Sequence, residues 1–485
     1  MNIIYFSSIF FFNLIKTFAI ISFSLNYYNK TTLSNSISSI YNLLDNSYLY
    51  TNIKIGEPEH QIKTFLSMST PHFSMSSELI LLNDKEILNY YDINKSSTFK
   101  NISFSDNYYI ESINDIIAKE NFKLLSYDIN NKKDKEIEIN DLNFILIVKN
   151  KNIKNENLTE LFYLTIGLQI ISDNKYKYNF IHILKERKII DNYNWFILYE
   201  DNKNKENNQE NLCNLDEIIN NKPKLLIGTL PHEIDTIKYN KNQLISAYSN
   251  NFDWILFFKN VYYYKNNNNL TKKNLYDNRV QIDLNKLFIY APSLYFDYIQ
   301  RDYFSDYISK NICSIYSDNN IRGYFCEKSE FSTKNLKAFP TLYFEHTELN
   351  FTFEFSYKDL FVEKENKYIF LIVDDLNDEI DEWVIGYSLL RKYQTIFNQE
   401  AKTISFYNPN LPVGENEKNE KNENNGNKNN NNHIYIIYVV IALSWIIFIV
   451  IGFFIGKYFY KKYKAKKRAN ELDDNYEYIS EQNIN

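Results

Sequence analysis

The chain has 485 residues and a formal net charge of -6, and 44% of its residues are hydrophobic and 17% aromatic. This composition can build a large core, and the lack of a basic stripe argues against a protein that binds nucleic acid. The three cysteines form no CxxC motif and no Cys/His cluster with metal spacing, so we expect neither a metal site nor a cofactor.

An apolar, aromatic segment opens the chain, from Met1 to about Phe23, with Lys16 inside it. This pattern is typical of a secretory leader, which we place at residues 1–24. The same pattern leaves open the alternative of an uncleaved signal anchor.

Between about Asn46 and Pro409, short runs of Ile, Leu, Tyr and Phe alternate with Asn, Asp and Ser. Many short apolar runs bounded by turn residues predict an all-β architecture. Glycine is scarce, at nine residues, so the turns must rely on Asn, Asp and Ser. The predicted strands are Tyr48–Ile55, Asn143–Val148, Phe180–Ile183, Trp195–Tyr199, Lys224–Ile227, Trp254–Phe258, Leu342–Glu345, Tyr368–Ile372 and Thr403–Tyr407.

Two of the cysteines, Cys313 and Cys326, could close a loop of about 14 residues, which a disulfide would stabilise in a secreted chain. The alternative is a pair of buried thiols that are not joined. Cys213 has no obvious partner.

The C-terminal part of the chain predicts a membrane anchor. Residues 411–432 are rich in Asn, Glu and Lys, as in a disordered stalk, and Ile434 to Ile455 carry no charge. We predict a transmembrane helix at residues 433–456, long enough to cross a bilayer. The basic tail at residues 457–485 would lie on the cytoplasmic side, although its basic cluster could also bind anionic lipid. The protein is thus predicted to be a type I single-pass membrane protein of the secretory pathway.

Three motifs resemble the pepsin-type aspartic proteases. Tyr48 to Pro58 (YLYTNIKIGEP) is similar to the family's opening strand pair, in which an aromatic-led strand ends in Ile-Gly-x-Pro. Tyr163 to Leu168 (YLTIGL) looks like the Ile-Leu-Gly-Leu of the first lobe. Trp383 to Asn398 (WVIGYSLLRKYQTIFN), followed by Ile404 to Tyr407, is similar to the C-terminal block. Among the branches of the family, plasmepsins look most similar, because of the Asn/Lys-rich loops and the C-terminal span.

The resemblance implies a bilobal pepsin-like fold with an N-lobe at residues 45–232 and a C-lobe at residues 233–410. Each lobe would supply one Asp-Thr/Ser-Gly loop to a shared cleft, and the spacing of Cys313 and Cys326 suits the disulfide of the C-lobe. The family has tight backbone contacts at four glycine positions, which here are Gly56, Gly167, Gly228 and Gly386.

The motifs imply that one of the two catalytic aspartates is missing. The first Asp-Thr-Gly falls at Ser67-Met68-Ser69, so Ser67 replaces the first aspartate. The second falls at Asp283-Leu284-Asn285, so Asp283 is the retained second aspartate. Met68 and Leu284 would stand for the two threonines that bond across the loops in the family, and their side chains cannot do so.

An alternative register puts Ile289 at the second aspartate position and Ser293 at the serine of the motif, and both acids are then lost. The flap would lie near Tyr108 to Asn114, which contains no glycine, and Tyr109 is the candidate flap tyrosine. Ser67 could act as a nucleophile only with a base within hydrogen-bond reach. His72 is close in sequence, but the family fold implies that it points away from the cleft.

Two main hypotheses for function follow. The first is a pseudoprotease that binds a protein or peptide partner in its cleft or on its surface at a membrane. The second is an active atypical aspartic endopeptidase, in which another group replaces the missing acid. A purely structural surface or adhesion protein is a third possibility. A second carboxylate close to Asp283 in the cleft would favour the endopeptidase.

Overall fold

A computed structural model describes the chain over the following residues: 18–29, 36–76, 80–82, 86–88, 91–102, 116–147, 165–170, 178–199, 212–249, 253–264, 272–275, 278–318, 320–376, 382–411 and 457. By its internal contacts the chain divides into one compact unit from Met1 to Pro412 and a second from Val413 to Asn485. Nearly all described residues belong to the first unit.

The first half of the described chain is mostly strand. Its strands are β1 (Ile21–Ser24), β2 (Asn26–Asn29), β3 (Ser47–Ile55), β4 (His60–Ser67), β5 (Phe73–Ser76), β6 (Ile80–Leu82), β7 (Glu86–Leu88), β8 (Lys100–Ile102), β9 (Ile116–Asp128), β10 (Lys133–Ile147), β11 (Thr165–Gly167), β12 (Asn194–Leu198), β13 (Cys213–Asn214) and β14 (Lys224–Ile227).

The second half is also dominated by strands. They are β15 (Leu244–Tyr248), β16 (Ile255–Phe257), β17 (Asn260–Tyr264), β18 (Lys272–Leu275), β19 (Arg279–Ile282), β20 (Ile289–Tyr290), β21 (Cys313–Ser317), β22 (Ile321–Glu327), β23 (Leu342–His346), β24 (Phe351–Phe355), β25 (Phe361–Lys364), β26 (Lys367–Phe370), β27 (Ile372–Asp375), β28 (Trp383–Ile385), β29 (Ile396–Asn398) and β30 (Thr403–Tyr407).

The helices are short and lie between the strands. The α-helices are α1 (Ile37–Asp45), α2 (Phe180–Glu186), α3 (Leu215–Asn220), α4 (Pro231–Ile234), α5 (Ser293–Ile299), α6 (Ser305–Ser309), α7 (Thr333–Lys337), α8 (Tyr357–Leu360) and α9 (Tyr387–Tyr393). The described residues also contain two 3₁₀ turns (Ile93–Lys95 and Lys241–Gln243) and one π turn (Gln300–Phe304). The predicted predominance of β-structure is confirmed for the described residues.

Six neighbouring strands of the largest sheet join the two halves of the chain. Their spatial order is β15, β30, β29, β12, β14 and β1, and β9 follows β1. Three of these strands come from the first half and three from the second. At their centre the indoles of Trp195 and Trp254 pack against the ring of Phe397, with centroid distances of 4.2 Å and 4.9 Å. This buried aromatic cluster forms part of the core that both halves share.

The two halves repeat one local arrangement of parallel strands. In the first half β4 and β11 are parallel neighbours within the largest sheet. In the second half β19 and β28 are parallel neighbours within a separate 10-stranded sheet. The body is therefore bilobal-like, and the β4/β11 pair of the first half matches the β19/β28 pair of the second. Those two pairs carry the loops of the candidate site.

The predicted strand at Phe180–Ile183 is wrong, because these residues begin helix α2. The side chain of Asn179 accepts a hydrogen bond from the backbone N–H of His182 and so caps the helix. Phe180, Ile181 and Ile183 are buried with the spacing of one helical face. A four-residue apolar run has no period of its own, so tertiary packing determines its structure.

The first strand lies inside the predicted leader. Strand β1 pairs with β14 over four residues and with β9 over two, and Ile21 and Phe23 are buried. The predicted leader boundary at residue 24 therefore falls at the end of a strand of the central sheet. Residues 1–17 lie outside the described part of the chain.

The predicted membrane helix cannot be compared with the structure, since residues 433–456 lie outside its described part. The predicted stalk and basic tail lie there too, apart from Leu411 and Lys457. No helix within the described residues combines the length and the apolar character needed to cross a bilayer.

Strands β21 and β22 place Cys313 directly opposite Cys326, and the two sulfur atoms form a disulfide. Both cysteines are buried. Cys213 has a thiol that is not in a disulfide, and its Sγ accepts a hydrogen bond of 3.1 Å from Nη1 of Arg391.

Removal of this disulfide is expected to destabilise the body. In the Cys313→Ala/Cys326→Ala variant, the unfolded chain regains the freedom of the closed loop, and the free energy of unfolding should fall by about 3 kcal/mol. Urea denaturation of the two proteins under oxidising conditions measures the difference. Cys213→Ala is the matched control, and we expect it to unfold nearly as the parent does. Equal midpoints for the double variant and the parent would contradict the expectation.

Candidate functional site

Two loops, one from each half, form the candidate site. Ser67 is the last residue of β4, where it lies beside Gly167 of the parallel strand β11. Asp283 directly follows β19, whose last residue Ile282 lies beside Ile385 of the parallel strand β28. The residue after Ile385 is Gly386, so a glycine accompanies each loop. Ser67 and Asp283 thus occupy equivalent positions in the two halves.

The two glycines allow these loops to lie against the neighbouring backbone. A Cβ atom added to Gly167 would lie 2.5 Å from the backbone of His72. A Cβ atom added to Gly386 would lie 2.1 Å from the carbonyl oxygen of Asp283 and 2.4 Å from that of Lys286. No side chain fits at either distance, which confirms the tight contacts predicted at these two glycines.

The loops are hydrogen-bonded to each other across the two halves. Nδ2 of Asn285 donates to the carbonyl oxygen of Leu66 at 3.0 Å, and its Oδ1 accepts from the backbone N–H of Leu49 at 2.9 Å. The backbone N–H of Leu284 donates to Sδ of Met68 at 3.3 Å. The prediction that the side chains of Met68 and Leu284 cannot bond across the loops is therefore wrong for Met68, because its thioether sulfur is a weak acceptor.

Asn285 was missed as a functional residue. The sequence shows it only as the residue that stands in place of the motif glycine. Its side chain bonds to two buried residues more than 200 positions away, with sequence separations of 219 and 236. We call the set Asn285, Leu66 and Leu49 the interlobe clamp.

A cavity of about 220 Å³ opens between the two loops and is called here the cleft cavity. Ser67 and Asp283 both line it, together with Asp45, Tyr48, Asp253 and Lys286. Three carboxylates and one ammonium group therefore face the same space among the described lining residues. The acidic side chains that line the cleft cavity therefore outnumber the basic one.

Ser67 is 5% exposed, and its Oγ lies 3.1 Å from Oγ of Ser69. Asp283 is half-buried, and its Oδ1 accepts a hydrogen bond of 3.0 Å from the backbone N–H of Asn285. The pair that lines the cleft cavity is thus a hydroxyl and a carboxylate, in place of two carboxylates.

A second carboxylate near Asp283 was missed by sequence reasoning. Asp45, the last residue of α1, accepts hydrogen bonds from the hydroxyl of Tyr290 and from Nδ2 of Asn46. Burial, together with the negative charges of Asp45 and Asp283, raises the pKa of Tyr48 to about 12. The charges of both aspartates therefore act on one tyrosine. In the sequence, Asp45 could have been noticed as a site residue only because it lies just before the opening aromatic-led strand.

A second cavity of about 210 Å³ adjoins the first and shares Gln281, Asp283 and Lys286 with it. One of its four acidic residues, Asp374, is paired with Arg322, whose guanidinium donates to Oδ2 of this carboxylate at 2.6 Å. Lys286 lies between the two cavities, with Nζ 4.5 Å from the ring centroid of Tyr290. Its ammonium group is therefore held against an aromatic face.

The remaining predicted site residues do not line the cleft cavity or lie outside the described part of the chain. Tyr109 lies among residues 103–115, which the structure does not describe. Ile289, the alternative for the second aspartate position, is fully buried in β20 and pairs with Ile372. Across the described part of the chain, no three His, Cys, Asp or Glu side chains are grouped so that they could hold a metal ion.

Comparison with known proteins gives a result only at the level of structure. No family model matches the chain, and a search of curated proteins finds no match to its sequence. Conglutin gamma, a basic 7S globulin from lupine seeds, matches with a TM-score of 0.52 at 10% identity. The match covers 81% of this chain and 95% of that one. The basic 7S globulin from soybean matches with a TM-score of 0.50 at 8% identity, over 81% of this chain and 98% of that one.

Identities this low show a shared fold and nothing about activity. The chain therefore has a fold similar to that of the basic 7S globulins, a fold related to that of the pepsin-like aspartic proteases.

Proposed function

We propose that the protein is a membrane-anchored pseudoprotease of pepsin-like fold that binds a protein or peptide in its cleft cavity. The observation that carries the proposal is the equivalence of Ser67 and Asp283 on the two parallel strand pairs. Of these two equivalent positions only one holds an acid. The apolar segment at residues 433–456 and the basic tail after it support the anchor.

Peptide hydrolysis in a pepsin-type site needs two carboxylates that share a proton. One carboxylate takes a proton from the attacking water, and the other gives a proton to the carbonyl oxygen. The hydroxyl of Ser67 does not titrate at physiological pH and cannot replace either carboxylate. Loss of acid/base assistance alone slows such a reaction by about 10²- to 10⁴-fold.

An active endopeptidase is the second candidate, and Asp45 is the observation that favours it. Asp45 and Asp283 line the same cleft cavity, so two carboxylates are present. However, each carboxylate oxygen of Asp45 already accepts a hydrogen bond, from Tyr290 or from Asn46. Both carboxylate oxygens of Asp45 therefore already have bonding partners within the protein.

We expect the purified protein to cleave a peptide library at acidic pH no faster than its Asp283→Ala variant does. The physical reason is the missing second acid at position 67. Product formation measured by mass spectrometry, with an active pepsin-type protease as positive control, tests this expectation. Specific cleavage that disappears in Asp283→Ala would overturn the pseudoprotease proposal. If it also disappears in Asp45→Asn, the endopeptidase with Asp45 as second acid is supported.

The charge of the cleft cavity predicts which peptides bind. A peptide with a central Lys or Arg should bind about tenfold more tightly than the same peptide with Glu, since three carboxylates outnumber one ammonium group. Fluorescence anisotropy at low salt measures both affinities. Asp283→Asn should reduce the preference, whereas Asp306→Asn, a change on an exposed part of α6, should leave it unchanged. A preference for the acidic peptide would contradict the proposed binding site.

A further inference from the structure

The segment around strand β1 is held firmly in the fold although it was predicted to belong to a leader. All four residues of β1 pair with β14, and two of them also pair with β9 on the other side. The backbone N–H of Tyr127 donates to the carbonyl oxygen of Ile20, and that of Leu25 donates to Pro223, at 2.7 Å and 2.8 Å. From Ile20 onward, then, the chain belongs to the central sheet.

The side chains of this segment are part of the core. Ile21 and Leu25 are fully buried and Phe23 is 4% exposed, and the ring of Phe23 packs 5.7 Å from that of Phe180. Ser24 at the end of the strand is exposed. A chain that began after Ser24 would leave the free edge of β14 and the core beside Phe180 uncovered.

Within the predicted leader, residues 1–24, the sequence offers two bonds to the peptidase that removes secretory leaders. This enzyme cuts after an apolar run at a bond preceded by small residues at the first and third positions before the bond. Thr17-Phe18-Ala19 and Ser22-Phe23-Ser24 both fit this pattern. The sequence alone does not choose between them.

We infer that the leader is cut between Ala19 and Ile20, so that the mature protein begins at Ile20. Water adds across the Ala19–Ile20 amide, which leaves a carboxylate on Ala19 and an amino group on Ile20. This cut keeps β1 whole with both of its neighbours. It removes one described backbone hydrogen bond, from the N–H of Ala19 to the carbonyl oxygen of Ile189. A cut after Ser24 would instead remove the entire strand.

The inference rests on the predicted secretory route and is independent of what the cleft cavity binds. The test expresses the full chain in a eukaryotic secretory host and identifies its first residue by mass spectrometry of the N-terminal peptide. We expect the chain to begin at Ile20. A first residue at Leu25, or a retained Met1, would overturn the inference, and neither result would affect the cleft proposal.

Two variants separate the rival bonds. Ala19→Arg removes the small residue before the proposed bond and should abolish the Ile20 terminus. Ser24→Arg changes the rival site at an exposed position and should leave the Ile20 terminus unchanged. If Ala19→Arg still begins at Ile20, or if Ser24→Arg loses that terminus, the inference fails.

A second measurement tests the structural reason. Chains from Ile20 to Asn485 and from Leu25 to Asn485 are each expressed behind an unrelated cleavable leader. The longer chain should unfold cooperatively, and the shorter one should lose that transition or show a midpoint well below it. Equal midpoints would show that β1 is dispensable and would remove the reason for the inference.

Discussion

Gly386→Ala is expected to lower the free energy of unfolding by about 3 kcal/mol or more. The added Cβ would lie 2.1 Å from the carbonyl oxygen of Asp283 and 2.4 Å from that of Lys286. Both contacts are with backbone atoms, so no side chain can rotate away. Overpacking in a rigid place typically costs about 1–3 kcal/mol and sometimes more, and a backbone clash this close belongs at the upper end.

The backbone around Gly386 cannot shift freely either. The N–H of Asp283 donates to the carbonyl oxygen of Ile385 at 3.2 Å, and the N–H of Tyr387 donates to that of Lys286 at 2.9 Å. Urea denaturation measures the change in unfolding free energy. Gly426→Ala, in the predicted stalk, is the matched control and should have no effect on the body. A loss below about 1 kcal/mol for Gly386→Ala would show that the loop is looser than described.

Asn285→Ala is expected to lower the free energy of unfolding by roughly 2–6 kcal/mol, since it opens the interlobe clamp. The substitution leaves the carbonyl oxygen of Leu66 and the N–H of Leu49 without their partner. Both residues are at most 1% exposed, and each buried polar group left unpaired costs about 1–3 kcal/mol. If water enters from the cleft cavity and bonds to these two groups, the loss in unfolding free energy lies at the lower end of this range.

The same substitution should also weaken peptide binding, because the clamp fixes the distance between the two loops that line the cleft cavity. Thermal unfolding and peptide titration are measured together on the parent and on Asn285→Ala. The control is Asn101→Ala, which removes an exposed amide from β8. An Asn285→Ala protein with unchanged stability and unchanged affinity would show that the clamp is not needed.

Local patterns in the sequence were enough to predict many of the strands. Thr403–Tyr407 was predicted as a strand with the bounds it has as β30, and Tyr48–Ile55 differs from β3 by one residue. The prediction used short apolar runs bounded by turn residues, and in β3 the burial also alternates along the strand, as in a strand with one buried face. Phe180–Ile183 failed because a short apolar run carries no such alternation, although Asn179 before it was an available cap signal.

Those residues of the candidate site that belong to recognisable sequence motifs could be predicted from the sequence. The motifs placed Ser67 and Asp283 as counterparts, and both line the cleft cavity. The clamp residue Asn285 and the second carboxylate Asp45 were not found. Asp45 bonds to a residue 245 positions away, and contacts at such separation follow from how the two halves meet and not from local spacing.

The way the central sheet is assembled limits how the protein can open. Three strands of the second half (β15, β30 and β29) continue directly into three of the first half (β12, β14 and β1) within one sheet. Backbone hydrogen bonds between β12 and β29 therefore join the two halves. A fragment ending between β14 and β15 would present a bare strand edge that can pair with other molecules. A ligand that widens the cleft cavity must accordingly deform this continuous run of paired strands, which the described residues form across both halves.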